Sequence, residues 1–133
     1  MATGRLPTLC STWMQTAGAD YTNTFRALTD DAAGDAPFEG VGAQDWLARW
    51  RARRAGEAPE ASAATMRAAN PALIPRNHLV EAALEAAQRR GDMTPFNDLL
   101  NALAEPYALR PETAHFRAPP QPHERVAATF CGT

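Results

Sequence analysis

The sequence predicts an all-α protein: a small helical bundle or array followed by an extended, proline-rich C-terminal tail. Two observations predict the helices. Apolar residues recur at i, i+3 and i+4 in successive stretches between Leu6 and Leu103, the spacing that gives a helix one buried face. Glycine, proline and capping residues sit at the ends of those stretches, where helices start and stop. A third predicts the tail: beyond Tyr107 the run "RPETAHFRAPPQPHERV" has no helical period, and so many prolines favour an extended course over a surface. Strand alternation is absent except for a weak trace in "RVAATF" near the end.

The elements follow in chain order. In "RLPTLCSTWMQTAG", Leu6, Leu9, Cys10, Trp13, Met14 and Ala17 form one apolar stripe, and Gly18 suits the C-terminal stop. Asp20 is placed to cap a short second helix, "YTNTFRAL", that buries Tyr21, Phe25 and Leu28. "TDDAAGDAPFEGVG" has no period and reads as a loop, so residues 30–42 are the weakest joint in a helical domain spanning 1–107. "AQDWLARWRARR" returns to helix with Trp46, Leu47 and Trp50 on one face, and "SAATMRAA" offers another short helix.

Asn70-Pro71 and Ile74-Pro75 then interrupt the chain, because a residue before proline avoids the helical region. The clearest helix follows, "RNHLVEAALEAAQRRG", with a stripe of Leu79, Val80, Ala83, Leu84 and Ala87 and a terminal Gly91. Asp92 or Thr94 opens the next, with Pro95 in its first turn and Phe96, Leu99, Leu100 and Leu103 as its apolar face. So short a connection between two amphipathic helices favours an antiparallel hairpin. Residues 108–133 form the tail, which carries Cys131.

Composition narrows function by exclusion. The 133 residues carry a formal net charge of −2, which gives no electrostatic footprint for nucleic acid or an anionic membrane. The run "RWRARR" reads as a solvated helix end, with Asp45 and Arg49 four apart and arginines at the negative end of the helix dipole. No apolar run is long enough to span a bilayer, and "MATGRLPTLC" lacks a signal-peptide core, so a cytoplasmic protein is expected. His78, His115 and His123 have no second ligand at metal-binding spacing. All 13 basic residues are arginine. Without lysine or a glycine-rich phosphate loop, these residues do not make a self-sufficient phosphotransfer site, so no catalytic, cofactor-binding or metal-binding residue is assigned.

The two cysteines cannot form a disulfide framework. Cys10 lies on an apolar face and reads as packed. Cys131 is different: a thiol near a chain end is reached easily, so either it has a partner or its place is incidental. A Cys131–His123 nucleophile pair would need a pocket and an oriented third group, which a tail does not supply.

The run "NPALIPRNHLVEAALEAAQRRGDMTPFNDLLNALAEPY" resembles the C-terminal region of the selenoprotein O, or YdiU-like, family of kinase-fold proteins. "DYTNTFRAL", "DWLARWRARR" and the terminal "FCGT" agree in order and rough spacing. The sequence departs from many members after Pro106-Tyr107, where Ala108-Leu109-Arg110 replaces an acidic segment. The resemblance implies the C-terminal part of a kinase-like fold, and an enzyme that transfers AMP from ATP to protein hydroxyls with Mg or Mn. It implies a nucleotide-binding core N-terminal to the matched region, so this chain alone is expected to be inactive. It also implies that Cys131 is a redox thiol pairing with a cysteine of that core. The expected partner is the core itself, or a second copy through helix faces at Leu6/Leu9/Trp13 and Trp46/Trp50. The alternative is a free-standing helical interaction module without catalysis.

Overall fold

The structure is a computed structural model that describes residues 6–29, 38–125 and 127. These are helical throughout their regular parts, with no strand among the described residues. The chain divides into two compact units, Met1–Asn70 and Pro71–Thr133. The boundary falls at Asn70-Pro71, inside the expected 1–107 domain.

The first unit contains α1 (Leu6–Ala17), α2 (Tyr21–Thr29), α3 (Ala43–Arg54) and α4 (Pro59–Ala69). Gly18, at φ 64°, ends α1. There the Ala19 N–H reaches the Met14 carbonyl at 2.9 Å and the Gly18 N–H the Gln15 carbonyl at 3.4 Å. Both bonds satisfy carbonyls that a helix end would otherwise leave open. Asp20 caps α2 as expected: its Oδ1 accepts the Asn23 N–H at 2.9 Å. Most of the 30–42 joint lies outside the described residues, but its end is well fixed. Phe38 is buried, and its carbonyl accepts a hydrogen bond from the Gln44 side chain at 3.1 Å. Gly40 has φ 100°, and a Cβ there would stand 3.2 Å from the Ala17 Cβ, so the turn into α3 needs glycine for both reasons.

The core of this unit is aromatic. Trp13 lies 5.8 Å from Phe38 and 6.1 Å from Trp46 between ring centres, both tilted, an arrangement aromatic pairs favour. Cys10, Met14, Leu28 and Leu47 complete it. The expected exposed faces are therefore corrected here: Trp13 and Trp46 are only 3% and 5% exposed. Leu6 and Leu9 have side chains outside the described set. Tyr21, expected inside, is 70% exposed while its ring packs on Phe25 at 4.6 Å. A polar clamp ties α2 to the end of α4: buried Arg26 donates to the Asn70 carbonyl at 3.0 Å, and the Asn70 amide donates to Thr29 Oγ1 at 3.1 Å.

The second unit contains α5 (Asn77–Arg90), α6 (Thr94–Leu103) and two 3₁₀ helices, Pro111–Arg117 and Pro122–Glu124. Ala72 and Leu73 both donate backbone N–H groups to the Pro106 carbonyl, at 2.8 and 3.0 Å, closing the unit on itself. Gly91, at φ 64°, ends α5, and α5 and α6 pack together across the short connection. Ala83, Ala86, Leu99 and Ala102 are buried there, whereas Leu84 and Leu100 of the expected stripes are exposed. Small alanines let the two helices approach, and the larger residues turn outward.

The tail differs from an extended course where it is described. Pro111 sits in the first turn of a 3₁₀ helix, where its missing N–H costs nothing, and Thr113 Oγ1 donates to the Arg110 carbonyl at 3.2 Å. Arg110 donates to the Ala102 carbonyl at 3.4 Å and meets Glu105 at 3.4 Å, which anchors this segment to the end of α6. Most of "RVAATF", and Cys131 itself, lie outside the described residues.

Candidate functional site

The first unit carries an open groove of about 1370 Å³ walled by all four of its helices. Each helix contributes one face at helical spacing. From α1 come Cys10 and Met14, and from α2 Tyr21, Phe25 and Leu28. From α3 come Trp46, Trp50, Arg53 and Arg54, at i, i+4, i+7 and i+8. From α4 come Ala61, Ser62, Thr65 and Met66. The floor is apolar and sulfur-rich, and the polar groups collect where α3 turns into α4.

That turn is held by a short relay. The Arg54 guanidinium lies 4.5 Å over the Trp50 ring, a cation–π contact. Its Nε donates to Ser62 Oγ at 3.1 Å, and the Ser62 hydroxyl donates to Glu57 Oε2 at 2.7 Å. Trp50 in turn stacks on Trp46 at 6.4 Å. Ser62 lies between two charged side chains that span the turn and has no histidine among its hydrogen-bond partners in the described residues, so the relay acts as a bracket on the turn. Arg49, Arg51 and Arg53 are exposed, as the solvated-end reading expects, but Arg54 is half-buried. The signal that would have found it is the ladder Trp46, Trp50, Arg54, four apart each time.

Cys10 is free and buried, with its thiol directed to the Met14 sulfur at 3.5 Å, and burial pushes its pKa up. A thiol held neutral is inert, which matches the expected packed role. Cys131, the one site residue that the sequence singled out, lies outside the described residues. His78 is half-buried on α5, and His115 and His123 are exposed. No group of three His, Cys, Asp or Glu side chains among the described residues could hold a metal ion. No helix among them is long and apolar enough to cross a membrane.

No family model matches the chain. Curated proteins named protein nucleotidyltransferase YdiU are similar to it. The one from Rhizobium etli strain CIAT 652 is 51% identical over 130 residues, covering 90% of this chain and 26% of its own length. That from Alcanivorax borkumensis is 51% identical over 125 residues, covering 92% and 26%. That from Rhodopseudomonas palustris strain BisB18 is 48% identical over 125 residues, covering 86% and 25%. The chain thus spans about a quarter of the length of the relatives it matches. Identity of this order across both helical units makes the chain a homologue of about one quarter of the proteins named YdiU.

Proposed function

We propose that this chain is the helical C-terminal portion of a YdiU-like enzyme that transfers AMP from ATP to protein hydroxyls, and that it supports this reaction rather than performing it. One observation carries the proposal: the match at 51% identity runs along 90% of the chain but only 26% of the relative. The residues at hand do not fit the nucleotide or its metal. The chain has no lysine to meet phosphates, and the described residues offer no carboxylate cluster for Mg or Mn. Both are assigned to the remaining three quarters of the relatives' length. The chain's part is to buttress that core in the cytoplasm, and to bring Cys131 to a thiol of the core. Oxidation of the two thiols by glutathione disulfide would then close a disulfide between them and regulate transfer.

The test replaces the matching quarter of the Rhizobium etli relative with this chain and measures AMP transfer to a protein acceptor. Transfer in the graft, and no ATP- or Mn-dependent rise in melting temperature for the 133-residue chain alone, are the expected results. A soluble, folded graft without activity would favour a free-standing helical interaction module instead. Cys131→Ser should leave transfer intact under reducing conditions and abolish its response to glutathione disulfide.

A further inference from the structure

We propose that the four-helix groove of the first unit is a docking site for one amphipathic helix, acidic at one end, supplied by the remaining three quarters of a YdiU-like protein. The inference rests on the proposed function and names the surface through which the chain would meet its core.

Size selects the class of occupant. Small-molecule pockets run to roughly 300–1,000 Å³, and this groove is about 1370 Å³ and open along one side. Its walls select a helix. All four helices face it with residues three and four apart, and α2 and α3 also with residues seven apart, which is the surface that a helix lying in a groove reads with its own i, i+3, i+4 and i+7 side chains. The α4 stripe from Ala58 to Met66 is about 12 Å long at helical rise, a little over two turns.

A second observation is independent of the cavity. None of the 11 residues of α4 is buried. A helix of that length is marginal in water on propensity alone, so its stability has to come from packing. Its only half-buried apolar residue of any size is Met66, which faces the groove. A helix laid against Ala61, Thr65 and Met66 supplies the burial that α4 lacks.

Charge selects the end. Arg53 is exposed at the groove's polar end beside Arg54, against the single carboxylate of Glu57. The excess positive charge favours an acidic residue at the end of the occupant that lies there. The occupant is assigned to the rest of the protein because about three quarters of each relative's length has no counterpart in this chain.

The experiment places a reporter thiol on the groove wall by Ala61→Cys, an exposed position that should tolerate it. Maleimide labelling of that peptide is followed by mass spectrometry in the 133-residue chain and in the Rhizobium etli graft. Ala48→Cys, exposed on the far side of α3, is the reference. The proposal expects Ala61→Cys to label at least tenfold more slowly in the graft than in the chain alone, with a much smaller change for Ala48→Cys. It also expects Arg53→Glu to restore labelling in the graft several-fold.

Equal labelling of Ala61→Cys in both, in a graft that transfers AMP, would overturn the docking site and leave the proposed function standing. A folded graft without transfer would overturn the proposed function first. Slow labelling of the chain alone that deepens with its concentration would assign the groove to a second copy and overturn the proposal as stated.

Discussion

The two units distribute their apolar mass in opposite ways. The first turns its large residues inward: Trp13, Phe38, Trp46, Leu28 and Leu47 are all buried, and what it leaves open is a concave groove. The second buries mainly small residues, Ala72, Ala83, Ala86 and Ala102, and presents Leu84, Met93, Phe96, Leu100 and Tyr107 outward. Helical period is legible in both. The difference teaches that amphipathic spacing marks a face without saying what covers it, because aromatic side chains can span the gap between helices whereas alanines require the backbones themselves to approach.

The largest expected effect sharpens that contrast. Trp13→Ala removes the ring shared by Phe38 and Trp46 and should cost about 3–5 kcal/mol of stability by chemical denaturation. Leu99→Ala tests the second unit's few large buried groups and should cost about 2–4 kcal/mol. A smaller loss for Trp13→Ala than for Leu99→Ala would reverse the assignment of the stronger core.

Gly91→Ala comes next. Nothing lies within 4 Å of the added Cβ, so its cost is conformational only, about 1 kcal/mol from forcing alanine to φ 64°. Leu100→Glu stands at the other end of the scale. Leu100 is 57% exposed, so the change should alter stability by no more than about 0.5 kcal/mol while reducing any concentration-dependent association seen by light scattering. A loss near that of Leu99→Ala would mean that this outward face is a covered one.

The acid–base prediction separates the units by pH. Burial raises the Cys10 thiol above its ordinary value of 9.0. Above that pH the unfolded thiol ionises while the folded one stays protonated, so the folded state holds more protons and stability falls as pH rises. The first unit should therefore weaken in alkali, and Cys10→Ala should flatten the slope. In the second unit the Asp92 carboxylate is held below its ordinary value, chiefly by the Thr94 backbone N–H at 3.0 Å. That contribution is present at neutral pH and is lost as acid protonates the group, a small effect at an exposed site.

The candidate site was legible only in pieces. Trp46 and Trp50 were visible as a pair, and Cys10 as a packed thiol. The groove was not, since it needs the faces of four helices brought together from residues 10 to 66. Phe38 sits in a stretch with no period, so nothing local marked it as core. Arg54 looked like its neighbours at a charged helix end until Trp50 gave its guanidinium a flat partner.

The helices and their ends follow from local sequence. Spacing near 3.6, Gly18 and Gly91 at the stops, Asp20 at a start and Pro95 in a first turn are local facts, satisfied by backbone hydrogen bonds within a few residues, whereas α4 begins at Pro59, inside a stretch that reads as a break. Which apolar faces lie inside is settled by packing between elements, because burial depends on how closely two helices can approach. Alanine on α5 permits a contact that turns Leu84 and Leu100 outward, and the Trp13 ring, tilted against both Phe38 and Trp46, joins them in one core.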